Sequence, residues 1–192
     1  MDVVEAIRSR RAVRSYTSQP VSPDVIQNLV ELASLAPSSR NLQPWSFWIY
    51  SDPVKIEAMA QQIKQWLFNI PHSEPFTSPL RKILADPAYD VFYQAPVLVL
   101  VAATSTEHQA QEDCCLAIEN LLLAARAVDL GSCVVGTARP WFNLPTTKQS
   151  LNIPSSYEVV APIVLGYPRA WPDAPERRPV EDHWCALPPT AR

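Results

Sequence analysis

Glycine is the scarcest structural residue in this 192-residue chain, with only Gly131, Gly136 and Gly166 against 20 prolines. A dinucleotide-binding turn needs G-x-G-x-x-G and a phosphate-binding loop needs G-x-x-x-x-G-K-[ST], because backbone must approach the phosphates closely. Neither can be written with these three glycines. A nucleotide-like ligand would have to be gripped by side chains, and arginine suits that task. Cysteine is sparse as well. Cys114, Cys115, Cys133 and Cys185 show no C-x-x-C spacing and His72, His108 and His183 are scattered, so no metal is expected and the thiols read as buried. No apolar run approaches the roughly 20 residues of a membrane helix, and Met-Asp-Val-Val-Glu is not a basic segment leading into an apolar one. The expectation is a cytoplasmic protein with no membrane partner. A net charge of −3 and a pI near 5.6 give no electrostatic reason to expect nucleic acid.

What is present fits one globular domain spanning 1–192, with 47% hydrophobic and 18% charged residues. Asp2 is a natural N-cap for a first helix with Val3, Val4 and Ile7 as its apolar side. Arg8, Arg10, Arg11 and Arg14 follow; a helix dipole explains one or two cations, and four invite an anion. Arg10 and Arg14 share a face if the helix continues, whereas in an extended stretch Arg10, Ala12 and Arg14 point the same way. Ser22-Pro23 starts a second helix carrying Val25, Ile26, Leu29, Val30, Leu32 and Ala33. Ser46 to Tyr50 reads as a strand, and Asp52-Pro53 opens a third helix that ends by Pro71.

Between Pro71 and Tyr93 no clean period exists, and the stretch reads either as a lid or as an irregular surface insertion. Val97 to Ala103 is a strand buried on both faces. Glu107 to Asp129 forms the longest helix, which Gly131 is placed to close. Ser132 to Thr137 is a short strand interrupted by Gly136, a sign of a bulge or a close backbone approach. A Trp141-Phe142 pair, a short helix and a final strand from Tyr157 to Gly166 precede a proline-rich, extended tail over about 168–192. Four or five short strands with dominant helices point to an α+β fold, helices around one sheet.

The loop Ala36-Pro-Ser-Ser-Arg-Asn-Leu-Gln-Pro-Trp45 links the second helix to the first strand. Its prolines stiffen it, and Ser38, Ser39, Asn41 and Gln43 supply donors and acceptors around Arg40. Taken in order, the arginine cluster Arg8 to Tyr16, this loop, Leu130 to Gly136, and Val164 to Pro168 with Arg177 to Asp182 resemble the nitroreductase family of flavoenzymes. The resemblance spans nearly the whole chain and is weakest between about Gln61 and Tyr93.

That resemblance implies a three-layer α/β/α sandwich with a central, mostly antiparallel sheet, and an intertwined homodimer holding FMN at its interface. It implies that Arg10, with Arg177 and Arg178 of the tail, grips the FMN phosphate, and that Arg14 lies near the ribityl chain and the N1 edge, with Arg11 and Ala12 in the same cluster. Many relatives have serine where this chain has Ala12, which removes one hydrogen bond worth about 1 kcal/mol. Pro37, Ser38, Ser39 and Asn41 match the loop that reaches the flavin from the other subunit. Gly136, with Val134, Val135 and Thr137, matches the strand whose backbone N–H meets flavin N5.

No side chain is assigned a catalytic role, because the cofactor carries the chemistry. The implied reaction is ping-pong: NADH or NADPH gives hydride, and a nitroaromatic, quinone or similar small-molecule electron acceptor takes it. Trp141, Phe142 and the 71–93 stretch are the candidates for the wall that sorts acceptors. The alternatives are a non-catalytic flavin-binding or storage module, or a same-fold enzyme that fragments flavin, removes halogen or oxidises azolines.

Overall fold

The chain is described from a computed structural model that covers residues 1–69 and 78–184. Four runs rich in β-branched and aromatic residues, β1 (Trp45–Tyr50), β2 (Val97–Ala103), β3 (Gly131–Val134) and β4 (Glu158–Gly166), build one sheet in the order β1-β2-β4-β3. Every pairing is antiparallel. β2 lies at its centre with all seven residues buried, which is why it reads as an unbroken apolar run.

Alternation along β2 divides the core in two. Leu98, Leu100 and Ala102 face a cluster with Ile56, Met59, Ile63 and Leu67 of α3 (Pro53–Asn69), joined by Phe92 and Phe142. Val97, Val99, Val101 and Ala103 face Ile26, Leu29 and Ala33 of α2 (Pro23–Ser34) and Cys114, Ile118, Leu121 and Ala125 of α5 (His108–Ala127). A period of two on the strand thus feeds helices on both faces. The result is the expected three-layer α+β architecture.

The structure corrects several details. α1 (Val3–Ser9) forms, and the Asp2 carboxylate accepts the Glu5 N–H at 2.8 Å. Its apolar side is not covered, however: Val3, Val4 and Ile7 are 64%, 50% and 57% exposed, and Ala6 alone is buried. Gly131 does not close α5. Asp129 takes the left-handed position there, at φ 59°, while the Leu130 N–H donates to the Ala125 carbonyl at 2.9 Å. β3 stops at Val134, and Gly136–Ala138 is a 3₁₀ turn leading into α6 (Arg139–Phe142), followed by α7 (Pro145–Ser150).

The irregular stretch before β2 contains α4 (Ser78–Leu84); its first part, residues 71–77, lies outside the described residues. Val91 and Phe92 of that stretch are fully buried. Lys64 of α3 pins it further, donating to the carbonyls of Asp86 at 2.6 Å and Tyr89 at 2.8 Å. Trp141 and Phe142 are core, not wall: both are buried, and Phe142 stacks on Phe92 with ring centres 6.3 Å apart.

Candidate functional site

α1 ends at Arg10, whose backbone turns extended at φ −61°, ψ 134°. From there the chain runs alongside β3. Ala12 bridges Ser132 in parallel, and the Val13 N–H donates to the Ser132 carbonyl at 3.0 Å. Val13 is wholly buried and lies where a side chain on Gly131 would otherwise sit. The extended alternative therefore holds, and Arg10, Ala12 and Arg14 share the side opposite Val13.

Cys133 registers the result. Burial pushes its thiol up, while Arg14 and then Arg10 pull it down, so both guanidiniums act on one sulfur. Arg14 is itself raised, chiefly by Cys133, with further contributions from Tyr93 and Tyr16. Arg10 also pairs with Glu119 on α5 at 3.4 Å.

Arg11 is not brought to this pair. Its Nη1 donates to the carbonyls of Arg8 and Arg10, both at 2.8 Å, closing the end of α1. Its Nε is buried without a partner among the described residues. Arg177 and Arg178 are exposed on the extended tail. The tail is tethered upstream of them, at Trp171, where the Arg126 guanidinium sits 4.1 Å from the ring centre.

The loop after α2 is a 3₁₀ turn, Ser39–Asn41, closed on itself. The Gln43 N–H donates to Ser38 Oγ at 2.9 Å and the Gln43 amide to Asn41 Oδ1 at 3.0 Å. It stands on the first half of α5, where the Ser39 N–H donates to Asp113 at 3.1 Å and Cys114 Sγ donates to the Pro44 carbonyl at 3.6 Å. Burial beside Asp113 and Cys115 pushes the Cys114 thiol up to about 12. Cys115, in contrast to the sequence expectation, is exposed, and Cys185 lies outside the described residues.

Gly136 supplies the third component. A Cβ built on it meets no atom within 4 Å, and among the described residues its N–H and that of Thr137 have no acceptor. Val134 beside it is exposed and Val135 is buried. Behind the turn, Arg139 bonds Glu158 at 2.8 Å and Gln111 at 3.3 Å, and Gln111 bonds Glu158 at 2.9 Å. This closed network fixes the turn from beneath.

Residues 7–167 match the model of the nitroreductase family. The chain belongs to that family. A protein of Archaeoglobus fulgidus provisionally named an NADH dehydrogenase/NAD(P)H nitroreductase is 28% identical over 88% of this chain and 86% of its own length. Iodotyrosine deiodinase of Nematostella vectensis is 24% identical over 93% of this chain and 72% of its own. Among solved structures, a nitroreductase with bound FMN from Bacteroides fragilis superposes with a TM-score of 0.79 at 27% identity, covering 97% of this chain and 98% of that one.

The residues of this nitroreductase-family chain fit FMN. The phosphate is a dianion that the Arg10 guanidinium suits, and Arg14 lies on the same side of the extended segment for the ring edge; the flat ring system needs open backbone with free donors, which Gly136 and Thr137 offer. Asp113, Cys133 and Tyr93 were not anticipated from the sequence. Asp113 left a signal, since Ala110, Asp113, Cys114 and Ala117 follow the i, i+3, i+4, i+7 spacing of a buried stripe and one of them is charged.

Proposed function

We propose that this chain is an FMN-dependent oxidoreductase that works as a homodimer and passes two electrons from NADH or NADPH to a nitroaromatic, quinone or related acceptor in ping-pong order. The observation that carries the reading is the placement of Arg10 and Arg14 on one side of the extended segment that runs along β3, next to an unobstructed glycine turn just past that strand. When bound, FMN supplies a centre that accepts hydride from a nicotinamide and returns it to an oxidising substrate. The protein's part is binding and electrostatics.

Arg10 would hold the phosphate. Arg14 would place a fixed positive charge beside the ring edge that gains electron density, favouring the reduced state. The free N–H groups at Gly136 and Thr137 would orient the ring without moving during turnover. Ser38, Ser39 and Asn41 would close over it from a second copy. The helix geometry supports that division. Arg10 meets α5 at Glu119 and the loop meets it at Asp113, six residues away, which is about 9 Å along the axis and about 120° around it. That spacing favours a site completed by a second copy over one closed within a single chain.

With Trp141 and Phe142 in the core, the acceptor wall falls to Tyr89 and Tyr93, whose rings meet edge-on at 6.4 Å and of which Tyr93 acts on Arg14. The test is anaerobic mixing of purified protein with NADH or NADPH while flavin absorbance is followed. Bleaching, reversed by a nitroaromatic or quinone, is the expected result. A colourless protein that cannot be reconstituted with FMN would overturn the flavin reading, and a yellow one that neither nicotinamide bleaches would overturn the enzymatic one.

A further inference from the structure

Three residues of the Pro37 to Gln43 loop have left-handed backbone: Arg40 at φ 51°, Asn41 at 57° and Gln43 at 48°. Asparagine tolerates that region, but arginine and glutamine occupy it only where the surroundings impose it. Bonds inside the loop set its shape. The Asn41 N–H donates to the Ser38 carbonyl at 3.0 Å and the Leu42 N–H to the Ser39 carbonyl at 3.1 Å, besides the two Gln43 bonds. None of these fixes where the loop stands on the molecule.

At its far end the loop is tied at the Pro44 carbonyl, which accepts from the Thr104 N–H at 2.9 Å and from Cys114 Sγ at 3.6 Å; within positions 37–43, among the described residues, one hydrogen bond reaches the rest of the chain, that of the Ser39 N–H to Asp113 Oδ2 at 3.1 Å, across 74 positions of sequence. Asp113 is only 3% exposed. Its other oxygen accepts from Gln109 Nε2 at 3.1 Å, and no cation pairs with it among the described residues. A carboxylate buried with two neutral donors and no counter-charge is costly, and alanine would serve α5 better at this position. The helix gains only the i, i+4 bond from Gln109; the loop gains an anchor at its middle.

We propose that Asp113 is a positioning residue for the flavin site, holding the Ser39 amide so that Ser38, Ser39 and Asn41 stand ready for the cofactor. This rests on the flavin reading above. The chemistry suits the task. An ionised acceptor makes a stronger bond to a backbone N–H than a neutral one, and a loop already in its bound shape loses less freedom on binding.

The test uses the full chain with FMN. Asp113→Ala is expected to raise the FMN dissociation constant by about tenfold or more, to speed amide exchange at Ser39 to Gln43 and to change the visible circular dichroism of bound flavin. Asp113→Asn keeps an oxygen for Ser39 and is expected to return the constant to within about threefold of wild type. Should Asp113→Ala fold poorly, Ser39→Pro serves instead. Ser38 already has the extended backbone that precedes proline, φ −143° and ψ 154°, so the change removes the amide donor, and Ser39→Ala controls for the lost hydroxyl.

FMN affinity and loop exchange unchanged in Asp113→Ala, or in Ser39→Pro relative to Ser39→Ala, would overturn the proposal, as would an Asp113→Asn protein as impaired as the alanine variant. Arg14→Ala separates the two levels of argument. If it loses FMN while Asp113→Ala keeps it, the anchor alone is wrong; a wild-type chain that takes up no FMN overturns both.

Discussion

Two of the three glycines are structural and one is open. Gly131 and Gly166 face each other across β3 and β4. A Cβ on Gly131 would come within 2.7 Å of Val13, and one on Gly166 within 2.6 Å of Pro96 and 2.9 Å of Tyr16. They are absent side chains that let the extended arginine segment lie against the sheet. Gly131→Ala should therefore destabilise the protein by about 1–3 kcal/mol, since Val13 is fully buried and β-branched and cannot turn aside. Gly136→Ala should change stability by no more than about 0.5 kcal/mol, yet weaken FMN binding about tenfold by intruding on the ring's space. Denaturant melts of the apoprotein and flavin titration read the two effects separately. Equal stability loss at both positions would mean that Gly136 is structural too. The sequence marked Gly136 as a place of bulge or close approach and read Gly131 as a helix end; Gly131 was misread because its role depends on Val13, which packs over it from a distant part of the chain.

At the scale of elements, the sheet was legible and the stretch before β2 was not. β2 was delimited to the residue because its seven consecutive apolar positions, buried on both faces, are bounded by Pro96 and Thr104. α4 was missed because its apolar residues lack a helical period long enough to register, and the stretch after it is held by non-local bonds. Lys64 is the clearest of these, an ammonium surrounded by the carbonyls of Asp86, Pro87 and Tyr89. Lys64→Met keeps the stem and removes the donors, and should cost about 1–3 kcal/mol because three acceptors lose their shared cation. Amide exchange over residues 86–94 should rise while that of β2 does not. If Tyr89 and Tyr93 form the acceptor wall, the same variant should raise KM for the acceptor and leave that for the nicotinamide nearly unchanged. A uniform change in both would remove this stretch from the acceptor site.

For the molecule as a whole, the arginine segment and the loop were both read from sequence, while their separation around α5 could be seen only in the fold. On the proposed reading one chain leaves the flavin site in two halves, and it also leaves its first helix half dressed. Val3, Val4 and Ile7 form an apolar face that the described residues do not cover, and Leu35, Leu42 and Leu116 are exposed nearby in sequence to the loop and on α5. Exposed apolar residues scattered singly need no explanation, but a whole helix face does. The same arrangement answers both facts if a second copy covers α1 and brings its loop to the arginines. Ile7→Glu should then convert a dimer to a monomer, measured by light scattering after gel filtration. Because Ile7 contributes no group to the proposed flavin contacts, FMN uptake should fall with dimerisation and recover when high protein concentration restores the dimer. A monomeric Ile7→Glu protein that still binds FMN with wild-type affinity would show that one chain completes the site alone. The role given to the partner's Ser38, Ser39 and Asn41 would then have to be withdrawn.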